Sequence, residues 1–261
     1  MMQRAAAPLP NGESPNGPKG GSIHIDNLTV AYDRVPAVHH LKGTFAAGSL
    51  TAIIGPNGAG KSTLLHAIMG MLRAESGAIN IRDANRSDIA FLPQRAEIDQ
   101  TFPIRVSDLV ALGLMARTGL FGSMPKDHTE RVIRALRALG LEPLAERPIG
   151  KLSVGQFQRV LFARLMVQDA RIILLDEPFA ALDPPTTADL VRQIASWHRE
   201  GRTIIAVLHD IEEVRRSFPE TLLLVRGATQ WGPTDSVLTP QHLFAAGILT
   251  RPVTLSTAEV A

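Results

Sequence analysis

Cysteine is missing from all 261 residues. The chain therefore has no disulfide, no thiolate metal site and no cysteine nucleophile, a composition that fits a reducing compartment. Aromatic residues are scarce at 5%, with a single tyrosine, Tyr32. Charge of neither sign prevails, since 27 Lys and Arg against 25 Asp and Glu leave a formal +2. A balance this close argues against nucleic acid as a partner held by bulk electrostatics. Long hydrophobic runs are missing too. The most apolar stretch, "VSDLVALGLMA" (106–116), carries Asp108 and stops at Arg117, well short of the roughly 18 residues a membrane span needs. Between Arg4 and Pro10 stand too few apolar residues for the centre of a secretory signal. The expectation is a soluble protein that stays inside the cell.

What is present is a globular composition, 45% hydrophobic, of a length that buries a substantial core. Residues 1–21 are crowded with Pro, Gly, Asn and Ser and are expected to be a disordered tail. From Ser22 the pattern changes. "SIHIDNLTVAY" alternates as a strand does, and "SLTAIIGPNGAGKSTLLHAIMGML" reads as a buried strand, a Gly-rich turn and a helix. "AINIRD" and "IAFLPQ" are short strands, and 105–147 is helical, with 128–141 amphipathic. The unbroken apolar runs of "RIILLDEP" and "TIIAVLHD" mark strands buried on both faces. "TADLVRQIASWHREG" between them is a helix ended by Gly201. "TLLLVRG" and "ATQWGP" read as an edge hairpin, followed by a helical tail over 236–261. Strands alternating with helices make an α/β core, which the helical run interrupts as an inserted subdomain at about 99–160 within a domain spanning 22–235.

Two motifs carry chemistry. "GPNGAGKST" (55–63) fits G-x-x-x-x-G-K-[ST] between a strand and a helix, the context that distinguishes a phosphate-binding loop from a chance Gly-rich turn. Gly55, Pro56, Asn57, Gly58, Ala59 and Gly60 would wrap phosphate with inward N–H groups. Lys61 would reach the β- and γ-phosphates, Ser62 would ligate Mg²⁺, and Thr63 would join them in binding the nucleotide. The second motif, "IILLDEP", sets Asp176 at a strand end to hold Mg²⁺ and Glu177 to polarise the attacking water. Acids often end strands in turns, but two together after four apolar residues are poorly explained as decoration.

"KLSVGQFQRVLFARLM" (151–166) supports two readings. Ser153 can cap an amphipathic helix whose Leu161, Phe162, Leu165 and Met166 face a core. Alternatively, Ser153, Gly155 and Gln156 open a helix whose positive end faces another molecule's phosphates. The order "LSVGQ", "LLDEP", "ALD" (181–183) and "VLHD" decides between them, because it resembles the ATP-binding-cassette (ABC) family of transporter ATPases from about Ser22 to Pro233. That resemblance implies a P-loop, RecA-like α/β core with an antiparallel β subdomain and an inserted α-helical subdomain. It also implies a homodimer formed on ATP binding, with Ser153, Gly155 and Gln156 of one copy against the γ-phosphate held by Lys61 of the other. Position by position, Tyr32 matches the aromatic that stacks on adenine, Gln94 the glutamine that senses Mg²⁺ and water, Asp183 the residue coupling the two sites, and His209 the γ-phosphate switch. ATP and Mg²⁺ are the implied cofactors.

One position departs from the family, which usually has Gly where this chain has Val154; the β-branched side chain adds bulk near phosphate. His39 and His40, adjacent on an exposed strand, should point to opposite faces and lack a third ligand at metal-site spacing. No Asn-Lys-x-Asp guanine motif is present, and the 58 residues between Gln94 and Ser153 are too few for the coiled-coil arms of DNA-repair relatives. Translation relatives usually carry two such cassettes. "LPQRAEIDQTFPIRVSDLVALG" (92–113) is similar to the corresponding segment of zinc, manganese and iron importers, with Phe102 and Leu109 offering apolar contacts to a permease or packing within the subdomain. The implied protein serves two membrane permease subunits at the cytoplasmic face of the inner membrane, and indirectly a periplasmic metal-binding protein. The expected cargo is zinc ahead of manganese, with iron-chelate or cobalamin uptake as the alternative.

Overall fold

The computed structural model describes residues 20–32, 35–94, 99–118, 127–225 and 229–249. Its centre is a six-stranded sheet in the order β5-β6-β7-β3-β8-β9. These are β3 (Leu50–Ile54), β5 (Ile89–Leu92), β6 (Ile172–Asp176), β7 (Thr203–Val207), β8 (Glu220–Leu223) and β9 (Gln230–Pro233). All pairings are parallel except β8 with β9, which is the expected edge hairpin. The apolar runs are continuous because the sheet is covered twice. Ala52, Ile54, Ile173, Leu175 and Ala206 join one core, and Ile53, Ile172, Leu174, Ile205 and Val207 the other. Each such Ile or Leu, fully buried, contributes about 1.5–3 kcal/mol.

On the second face lie α1 (Lys61–Met69) and a three-stranded antiparallel sheet, order β2-β1-β4, formed by β1 (Ser22–Tyr32), β2 (Val35–Phe45) and β4 (Ser76–Arg82). The first face is covered by α4 (Val154–Gln168) and α5 (Pro184–Arg199), where Phe162 stacks on Trp197 with ring centroids 5.7 Å apart. Against α4 pack α2 (Val106–Thr118) and α3 (His128–Ala138). Gly113 allows α2 to approach closely, since a Cβ there would stand 2.4 Å from the Arg164 carbonyl oxygen. The chain continues through α6 (Ile211–Ser217), α7 (Thr234–Val237) and α8 (Pro240–Ala245). Among the described residues no helix is long and apolar enough to cross a membrane.

Three expectations change. Residues 1–19 of the expected tail, like 250–261 of the C-terminal one, lie outside the described residues, but Gly20 and Gly21 are buried and held. Gly20 N–H donates to Gly201 O at 2.7 Å, and the Thr203 hydroxyl donates to Gly21 O at 2.7 Å. His39 and His40 do not diverge. His40 has φ 50, β1 and β2 shift register nearby, and the irregularity turns both exposed rings together, 4.3 Å apart. Leu109 is 8% exposed within the core, so it packs inside the subdomain, whereas Phe102 is 62% exposed.

Candidate active site

Parallel strands send their carboxyl ends to one edge, where the loops of open α/β sheets gather ligands. Here β3 leads to the Gly55–Gly60 loop, β5 to Gln94, β6 to Asp176 and Glu177, and β7 to His209. They surround a cleft of about 620 Å³ lined by Asn57, Gly58, Gly60, Lys61, Ser62, Thr63, Gln94, Glu177 and His209.

Close backbone approach explains two of the loop's glycines, Gly55 and Gly60. A Cβ at Gly55 would stand 2.2 Å from Leu224 O. Gly60, which opens α1, has φ +94, and a Cβ there would meet Ala37 O at 2.3 Å. Lys61 folds back on the loop and donates to Gly55 O at 2.8 Å and Pro56 O at 3.0 Å, with 7% of the residue exposed. Burial pushes its ammonium below the usual lysine range, while the negative charges of Glu177 and Asp176 act in the opposite sense. Pro56 O also accepts from Ala59 N–H at 3.2 Å, closing the turn.

Glu177 is gripped on both carboxylate oxygens. Gln94 Nε2 donates to Oε2 at 3.0 Å, and His209 Nε2 lies 2.6 Å from Oε1. This aims one carboxylate into the cleft between an amide and an imidazole, a geometry suited to orienting water. Asp176 is 1% exposed directly below. Ser62, Asp176 and Gln94 supply only oxygen donors, the set that suits Mg²⁺.

Ser153, Gly155, Gln156 and Asp183 do not enter this cleft but form a second group. Ser153 caps α4: Gln156 N–H donates to its hydroxyl at 3.2 Å, and Ser153 N–H donates to Gln156 Oε1 at 3.0 Å. The helix-cap reading therefore holds, and Ser153 is also exposed at the helix mouth beside half-buried Val154. Gly155 sits against the cap of α5, since a Cβ on it would lie 3.4 Å from the Thr186 hydroxyl. Asp183 accepts from Thr186 N–H and from its hydroxyl, both at 2.9 Å, which holds its carboxyl below the usual range. Tyr32 ends β1, and its side chain lies outside the described residues.

Sequence reasoning missed the residues that anchor α4. Gln158 Nε2 donates to Pro178 O at 2.8 Å, and Arg159 pairs with Asp189 of α5 at 2.8 Å. Their partners stand 20 and 30 positions away, so no local pattern signals them.

Residues 38–180 match the sequence pattern of the ABC transporter family. The manganese transport system ATP-binding protein MntB of Listeria monocytogenes is 39% identical over 230 residues, 86% of this chain and 96% of its own. The zinc transport system ATP-binding protein TroB of Treponema pallidum is 35% identical over 226 residues, 85% of each. Among solved structures, a metal-chelate type ABC transporter in an inward-facing conformation has TM-score 0.78 at 29% identity, over 87% of this chain and 89% of that one. The chain belongs to the ABC transporter family, as an ATP-binding subunit whose ATP hydrolysis is coupled to transport.

Proposed function

We propose that this chain is the ATP-hydrolysing subunit of an importer for a divalent transition metal ion. It acts as a homodimer beneath two membrane permease subunits, at the cytoplasmic face of the inner membrane, with a periplasmic metal-binding protein delivering the cargo. The observation that carries the reading is the incomplete cleft. One chain gathers Lys61, Glu177, Gln94 and His209 around it but leaves the Ser153–Gly155 helix mouth elsewhere, so a second copy is needed to enclose the γ-phosphate.

In this reading Tyr32 stacks on adenine, the Gly55–Gly60 N–H groups and Lys61 hold the phosphates, and Glu177 orients the attacking water. Gln94 and His209 fix the carboxylate and sense the γ-phosphate. Ser62, Asp176 and Gln94 would hold Mg²⁺, which would supply positive charge to offset that of the phosphates. Ser153, Gly155 and Gln156 present the positive end of α4 to the other copy's nucleotide. Asp183, fixed by Thr186, links the two sites. On cargo, the names of the relatives favour manganese over the zinc expected from the sequence: MntB of Listeria monocytogenes is 39% identical, TroB of Treponema pallidum 35%.

The test uses a strain lacking this gene and redundant metal importers, grown under chelation. Wild-type chain should restore growth and uptake of manganese or zinc, and Glu177→Gln should not, although it binds ATP. Lys61→Ala should lose both hydrolysis and ATP affinity. Unchanged metal uptake on deletion, or rescue by cobalamin alone, would refute the cargo; equal loss of ATP affinity in both variants would refute the residue roles.

A further inference from the structure

Glu177 has φ 49, in the left-handed region that residues other than glycine seldom adopt. It also precedes Pro178, whose ring narrows the conformations open to the residue before it. Such a backbone persists only where its surroundings over-determine it. Two of the restraints are local: Glu177 N–H donates to Val207 O at 3.2 Å, and Ala180 N–H donates to Glu177 O at 3.2 Å. The third comes from another layer of the fold. Gln158, 5% exposed on α4, donates from its side-chain amide to Pro178 O at 2.8 Å, a buried bond to the Pro178–Phe179 peptide, the second peptide after the strained residue.

We propose that Gln158 is a positioning residue for the Glu177 carboxylate. It does not line the cleft. By fixing the Pro178 carbonyl it holds the Glu177 backbone in the setting from which its oxygens meet Gln94 and His209. Gln158 lies in the second turn of the helix that Ser153 caps, and the neighbouring Arg159–Asp189 pair fixes that helix to α5. The seat of α4 and the aim of Glu177 are thereby one mechanical unit. The inference rests on the assignment of Glu177 as the group that orients water.

The experiment measures ATP turnover against ATP concentration, with ATP affinity measured separately, on the purified full chain. Gln158→Met keeps length and removes the donor; Gln158→Glu keeps shape and turns oxygens toward the Pro178 carbonyl. Gln168→Met, which changes another buried glutamine at the far end of α4, controls for general loosening of the helix. Both Gln158 variants should lose at least tenfold in kcat, while KM and ATP affinity move less than twofold. Gln168→Met should leave kcat within twofold. A Gln158→Met enzyme with wild-type kcat would overturn the proposal, as would a matching loss of affinity or an equal kcat loss in Gln168→Met. If Gln158→Met does not fold, Gln158→Glu is judged by the same criteria. A Glu177→Gln chain that still hydrolyses ATP overturns the underlying assignment itself, an outcome separate from all of these.

Discussion

Three glycines of the phosphate loop separate two physical costs that one glycine usually combines. Gly58 has φ +76 and open space where a Cβ would stand, so Gly58→Ala introduces strain without a clash. Gly55 lacks a positive φ but would push a Cβ to 2.2 Å from Leu224 O, so Gly55→Ala introduces a clash without that strain. Gly60 combines φ +94 with a Cβ 2.3 Å from Ala37 O. An L-residue in the left-handed region costs about 1–2 kcal/mol, offset by about 0.4–1 kcal/mol from the stiffer unfolded chain. Forced overlap with backbone that cannot swing away costs about 1–3 kcal/mol. Gly58→Ala should therefore lose at most about 1.5 kcal/mol, Gly55→Ala up to about 2.5 and Gly60→Ala about 1–4.5. At roughly 2–4 °C per kcal/mol, the difference is readable in thermal unfolding followed by circular dichroism. ATP titration of the same samples should show the affinity loss in the same order, because on the proposed function the displaced N–H groups would face phosphate. Gly58→Ala proving as damaging as Gly60→Ala would refute the separation of strain from crowding.

In a Glu177→Gln background, ATP should drive dimerisation on a sizing column. Adding Ser153→Arg should abolish it by placing bulk at the helix mouth, and persistence of the dimer would sink the shared site. Val154→Gly should raise turnover modestly and leave ATP affinity within twofold, since Val154 stands at the exposed start of α4; an unchanged rate would mean the side chain is tolerated. His198 is held below its ordinary value of 6.5 mainly by burial, so the unfolded chain takes up this proton first. Its contribution is therefore present above pH 6.5 and lost as pH falls toward the lowered value. Tm should drop between about pH 7 and 5, and His198→Gln should make that slope shallower; an identical slope would show that other groups carry it.

Much of the architecture was legible because each signal was local. Continuous apolar runs revealed β6 and β7, Ser153 with Gln156 revealed a helix start, and the glycine-rich stretch before Lys61 revealed the turn between β3 and α1. What escaped was non-local or conformational. Gln158 reads as a polar residue on an amphipathic helix until the fold brings Pro178 to it. The alternation rule failed at His39 and His40 because a positive φ on a non-glycine residue breaks the period of two, and nothing in the residue types announces it. Gly20 and Gly21 look like tail by composition, yet they pack because small residues fit against Thr203 and Gly201.

Lys61 rests against two peptide carbonyls within 3.0 Å. A free lysine gives up as much as about 2 kcal/mol of rotamer entropy when it is fixed, and in this chain folding has largely exacted that toll in advance. On the proposed role of Lys61, a triphosphate would meet an ordered cation and would not have to recruit a mobile one from solvent.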